Sequence, residues 1–210
     1  MDFAHVLVMI LMAVSLSAAA GLRAFLPLFA ISLLSSTGYI TLASGFSWLT
    51  STEAVVVFGL AVVLEVAADK IPGLDNALDA TGLVVKPLAA ALLSSSLITG
   101  MDPLLAMVLG LIIGGTVAGT VHFGKAQLRA GSTVLTAGFG NPVISVVEDG
   151  ISVLGTTLGI LLPALVGVLV IGGLFLLGRR IMRRSRKGIT AEVISADGEV
   201  VGETDAHSLS

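Results

Sequence analysis

The chain has no cysteine, little charge and few aromatic rings. Without cysteine it can form no disulfide, no thiolate nucleophile and no thiolate metal site. Charged residues make up only 12% of the 210 positions, against 55% hydrophobic, and the mean hydropathy is +1.04. A soluble domain of that composition would have a core with almost no polar surface around it. The long apolar runs instead indicate a polytopic membrane protein. Also missing are a Gly-rich phosphate loop ending in lysine, a His-Glu-x-x-His motif and a nucleophile elbow. The expectation is therefore no enzyme and no cofactor. The net charge of −3 comes largely from an acidic tail and suggests no nucleic-acid partner.

What charge there is lies unevenly. Six of the eleven Lys and Arg residues fall in "GRRIMRRSRKG", directly after the last apolar run. Cations concentrated beside a span mark the cytoplasmic side, so the C-terminus is expected there. The opening "MDFAHVLVMILMAVSLSAAAGLRAF" has no Lys or Arg before Arg23. It lacks the basic start of a signal peptide and is read as a retained first helix.

The spans follow from the apolar runs. Residues 3–20 are long enough for one crossing at about 1.5 Å per residue. "GLRAFLPLFAISLLSS" is short, with Arg23 and Pro27 near its start, and reads as a broken continuation or a re-entrant piece. A connector carries Tyr39 and the only tryptophan, Trp48, both suited to the headgroup level. Residues 53–69 form a helix whose last turns hold Glu65 and Asp69. Pro87 is expected to start a helix too short for the roughly 20 residues that a crossing needs. Asp102 and Pro103 give a good helix start, and that helix turns basic at His122, Lys125 and Arg129. After three glycines, Pro142 is expected to start a second short helix. The last span, 151–177, has Pro163 as a kink site. Residues 1–180 thus form an all-α membrane bundle, with 181–210 a basic juxtamembrane run and a polar cytoplasmic tail. Around Asp197 and Gly198 the tail could form a small hairpin.

One pattern recurs at a constant offset: Gly59 falls on Gly114, Lys70 on Lys125, Thr81 on Thr136 and Pro87 on Pro142. It suggests an internal repeat, about 53–100 and 103–155, in which a long helix ends at a lysine and a proline starts a half-helix. Duplicated units with interrupted helices are a common plan of transporters, their breaks meeting near the midplane. The free N–H groups at such helix starts can hold an anionic group.

The polar residues that could carry chemistry cluster in the same places. Glu65 and Asp69 are four apart on one helix face, and Asp75 and Asp79 repeat the spacing beside Asn76. Like charges so placed repel. Compensation could come from a bound cation, shared protons, or basic partners such as His122, Lys125 and Arg129, with Lys70 beside Asp69 a further binding candidate. A metal at Glu65, Asp69, Asp75 and Asp79 would be a hard ion such as magnesium, calcium or sodium. Arg23 is a lone cation in an apolar stretch, snorkelling or paired with an acid. Glu148 and Asp149 either end a short helix in water or face the same cavity. Lys86 and Asn141 precede the two prolines and could reach a ligand there, although turn or capping duty is the plainer role for Asn141.

Together "SAAAGLRAFLPLF", "ADKIPGLDNALDA", the Lys86 and Pro87 step, and "GNPVISVVEDG" resemble the bacterial membrane family catalogued as domain of unknown function 4126. The resemblance covers about residues 10–175. It implies a small multi-pass inner-membrane protein and brings no activity with it. The family often has arginine where this chain has Lys86, which keeps charge but not bidentate geometry.

The leading functional expectation is a transporter or channel for an ion or small solute, in contact with the bilayer and leaving a homo-oligomer open. The rival is a structural or lipid-interacting protein whose polar cluster is an ion-pair lock. An intramembrane enzyme comes third.

Overall fold

A computed structural model describes residues 3–71, 74–180 and 182, without the side chains of Asp75 and Asn76. The expected tail hairpin lies outside these residues. The chain divides into a body, Met1–Val170, and a C-terminal piece, Ile171–Ser210.

The described residues are almost all helical, with no strand among them. The helices are α1 (Phe3–Leu22), α2 (Phe25–Ser36), α3 (Thr52–Ala68), α4 (Leu74–Leu97), α5 (Pro103–Thr136), α6 (Asn141–Leu161) and α7 (Pro163–Arg180), with a 3₁₀ helix at Ser44–Thr50. Five of them, α1 and α4 to α7, are long and apolar enough to cross a membrane. The 3₁₀ helix and α3 together form a sixth candidate, bent by 68°. A polytopic all-α membrane protein is what the composition predicts.

Sequence accounts for the local starts and stops. Asp102 caps α5 by accepting the N–H groups of Leu104 and Leu105, and Pro103 occupies the first turn, where no N–H is needed. Ser51 caps α3 through the N–H of Ala54. After α5 the chain reverses through Ala137 at φ 51° and Gly138 at φ 88°. Only the glycine adopts that left-handed backbone without penalty.

Three expectations are corrected here. Pro87 starts no half-helix: it lies inside α4, which continues for ten more residues to Leu97. The missing hydrogen bond costs that helix about 3 kcal/mol, and close packing of the residues beyond Pro87 on α1 and α5 offsets it. Pro142 does start a helix, but α6 is 21 residues long and absorbs the expected short helix and the first part of the expected last span. Pro163 separates α6 from α7 instead of kinking one helix. The positions matched by the repeat also differ in setting. Lys70 follows the end of α3, whereas Lys125 sits within α5 with eleven residues still to run.

α1 and α4 form the centre. α1 packs on α4, α5 and α6, α4 packs most extensively on α5, and α2 pairs with α3 at one side. Leu16, Ala24, Leu28, Ile31, Ala89, Leu93 and Leu97 make the main apolar core. Close approach depends on small residues. A Cβ at Gly114 would lie 2.3 Å from the Ala90 carbonyl oxygen, and one at Gly110 would strike Ser95. With Ala106 and Ala118, these glycines form a fourfold-spaced seam, the small-residue packing common between membrane helices.

The outside is apolar and the inside partly polar. α6 buries Asn141, Ser145, Glu148, Ser152, Thr156 and Gly159, spaced three or four apart, and exposes Val143, Val146, Val147, Ile151 and Leu154. That inversion suits a helix facing lipid on one side and protein on the other. Tyr39 and Trp48 are exposed in the connector. In the C-terminal piece the Arg179 guanidinium lies 5.6 Å from the centre of the Phe175 ring.

Candidate functional site

Between α1 and α2 the helix breaks at Arg23 and Ala24, leaving backbone groups in need of partners. Two charged side chains supply them. Glu65 of α3 accepts the Ala24 N–H at Oε1 (2.9 Å) and the Phe25 N–H at Oε2 (3.2 Å). Lys86 of α4 donates from Nζ to the Leu22 carbonyl at 2.8 Å. A carboxylate thus meets the positive end of α2 and an ammonium the negative end of α1, as the helix dipoles favour.

Arg23 itself enters a buried charge network. Its Nη1 lies 2.5 Å from Asp69 Oδ2, and its Nη2 donates to Ser145 Oγ at 2.8 Å and lies 2.6 Å from Asp149 Oδ1. Asp69 Oδ2 also receives Arg129 Nη2 at 3.0 Å and Lys125 Nζ at 3.5 Å, so three cations converge on one oxygen. Glu148 Oε2 bridges Lys125 and Arg129, each at 3.0 Å, and Asp79 faces the same two at 3.4 and 3.3 Å. Arg23, Asp69, Lys86, Lys125, Arg129 and Glu148 are all buried. Lys70, more exposed, closes the edge on Asp149 at 2.7 Å. Burial would raise the carboxyl of Asp69, one residue beyond α3. The charges of Lys125, Arg23 and Arg129 outweigh that and hold it below its ordinary value.

Helical spacing builds this network. On α5, His122, Lys125 and Arg129 continue the face that Gly110, Gly114 and Ala118 began. On α6, Asn141, Ser145 and Glu148 share the inner face. The C-terminal ends of α1, α3 and α5 meet the N-terminal ends of α2, α4 and α6, so the charges gather at one end of the body.

A cavity of about 410 Å³ opens beside the network, with Glu65, Asp69, Asp79, Thr81 and Lys86 in its wall and Phe25, Ala61, Leu64, Ala68, Leu78 and Val85 as its apolar lining. Gly82 also lines it, and a Cβ there would come within 2.9 Å of the His122 ring. His122 Nε2 pairs with the Asp79 carbonyl oxygen at 3.0 Å.

Most of the residues singled out from sequence therefore converge: Arg23, Glu65, Asp69, Lys70, Asp79, Lys86, His122, Lys125, Glu148 and Asp149. Asn141 shares the inner face of α6 one turn before Ser145, and its Nδ2 donates to Thr133 Oγ1 at 3.1 Å across the α5 to α6 turn. Asp75 and Asn76 belong to the first turn of α4, and their side chains lie outside the described residues. Neither proline presents a free helix start to the cavity. Among the described residues no group of three acids or histidines is placed to hold a metal. Sequence reasoning missed Ser145, whose signal was its spacing of three from Glu148. It also missed the Leu22 carbonyl and Gly82, for which no local signal exists.

No curated protein and no solved structure matches the chain. A family model does match, over residues 10–183, which includes every residue placed in the network and the cavity wall. The chain belongs to the family described as Domain of unknown function (DUF4126).

Proposed function

We propose that this multi-pass membrane protein moves an ion or small solute across the bacterial cytoplasmic membrane, with its C-terminus inside the cell and no chemistry performed on the cargo. The observation that carries this reading is the cavity, whose wall includes Glu65, Asp69, Asp79 and Lys86 at the end where six helices meet. Charged groups inside a membrane protein are costly and commonly mark a pathway or site. The basic run at 179–187 supports the orientation.

Flux into proteoliposomes tests it. The wild type should pass at least one of protons, sodium, potassium, chloride or small organic acids faster than empty liposomes, and Asp79→Asn should slow that flux. If the folded wild type moves none of them above the empty-liposome rate, the proposal fails.

A second reading, the ion-pair lock, is favoured by one observation: Glu65, Asp69, Asp79, Glu148 and Asp149 all have partners within the protein. On that reading the same variants lose stability and there is no flux to lose.

A further inference from the structure

Hydrogen-bonding capacity around the cavity is unevenly used. Both oxygens of Glu65 are taken by backbone N–H groups and both oxygens of Asp69 by cations. Asp79 Oδ2 accepts from Arg129, while Oδ1 accepts no hydrogen bond among the described residues and has the Lys125 ammonium 3.4 Å away. An incoming cation would have to displace, or lie against, a guanidinium or an ammonium to reach an oxygen. Lys86 is different. An ammonium has three donors, and among the described residues Lys86 has one acceptor, the Leu22 carbonyl, with the Lys125 ammonium as a neighbour and no salt bridge within 4.0 Å. It is 5% exposed and lines the cavity. A buried cation with spare donors is unfavourable until an acceptor arrives.

The rest of the lining decides what else the ligand carries. Ala61, Leu64, Ala68, Leu78 and Val85 offer no polar side-chain atom, and about 410 Å³ is within the usual range of ligand sites. The geometry points to an amphiphile with a single oxyanion, a carboxylate or a phosphate ester on an apolar chain, held by Lys86 with its chain against Leu64, Leu78 and Val85. This rests on the cavity being a binding site, but not on translocation. It names an acidic cargo or a resident lipid where the charge inventory alone would suggest a cation.

The test is ligand-dependent thermal melting of the full chain in neutral detergent at about pH 6, where a carboxylic acid is ionised and a lysine carries its proton. Decanoate should stabilise the wild type saturably, while decanol (same chain, no charge) and acetate (same charge, no chain) should not. Lys86→Gln should weaken the decanoate effect by at least about tenfold, and Lys86→Arg should keep most of it. Equal action of decanol and decanoate overturns the proposal, and so does an undiminished effect in Lys86→Gln. If Lys86→Gln does not fold, Ala61→Phe, which fills the cavity from α3, must abolish saturation. Its retention is equally fatal.

Melting in nanodiscs with phosphatidylglycerol or phosphatidylcholine separates the sources. A Lys86-dependent gain with the anionic lipid identifies a membrane lipid, and a gain with decanoate alone identifies a free acid. Absence of both overturns the inference. Because melting does not read flux, binding without flux sinks only transport, and flux of a cation without binding sinks only this inference.

Discussion

Arg23, Asp69, Lys125, Arg129 and Glu148 pair with one another across helix boundaries, whereas Ser15 and Ser17 of α1, and Ser96 at the far end of α4, turn back on their own helices. Ser15 donates to the Leu11 carbonyl and Ser17 to the Ala13 carbonyl, each at 2.6 Å, and Ser96 to the Leu93 carbonyl at 2.7 Å. The contact between Ser17 and Ser94 at 2.8 Å is the hydroxyl pair that joins α1 to α4 there. Both ends bury polar atoms, but only the charged end depends on the presence of every partner. A hydroxyl bonded within its own helix lets neighbours pack on small surfaces. A buried charge fixes which helices must meet.

Removing a partner from each end is the direct way to break this contrast. Asp69→Asn should cost most, about 3–5 kcal/mol, because it strands Arg23, Lys125 and Arg129 with fewer counter-charges. Unfolding in mixed detergent micelles measures it, and a loss comparable to that of a serine variant would erase the distinction. Acid should act in the same direction. With its folded pKa depressed, Asp69 contributes stability above its ordinary value of 3.8 that is lost as pH falls through the lower folded value. Melting temperature should therefore drop at that acid limit in the wild type, and less in Asp69→Asn.

Gly114→Ala ranks next. The new methyl group would press on the Ala90 backbone and part α4 from α5, at a cost of about 1–3 kcal/mol in the same assay. Glu65→Gln should cost about 1–2 kcal/mol, since the amide keeps one acceptor for the start of α2 but loses the charge. Ser96→Ala should cost least, about 0.5–1.5 kcal/mol, the usual worth of one neutral hydrogen bond. An order with Ser96→Ala above Asp69→Asn would invert the comparison.

Much of the fold could be read from the apolar runs, because hydropathy and the Asp102 and Pro103 start are local signals. The spacing of four between Glu65 and Asp69 likewise called for compensation, with basic partners one of three possibilities: Lys125 and Arg129 pair with Asp69, while backbone N–H groups of α2 take Glu65. What misled was local as well. Proline reads as a helix breaker, yet tertiary packing carries α4 through Pro87. In α6 the polar residues lowered the apparent apolar length, although their spacing, from Ser145 through Glu148 and Ser152 to Thr156, was the mark of a buried face. The break at Arg23 and Ala24 was visible. Its repair by Glu65 and Lys86 was not, because it depends on how α3 and α4 are placed in three dimensions.

The sole tryptophan gives the contrast an optical handle. Trp48 sits with its ring 6.4 Å from that of Phe58, in a connector whose Ala43 N–H bonds the Ser96 carbonyl at 2.9 Å. Intrinsic emission from this protein therefore reports chiefly on the hydroxyl-rich end and leaves the ionic end dark. In an Asp69 variant, emission that changes together with circular dichroism would mean that damage at the dark end is transmitted along the whole length of the helices.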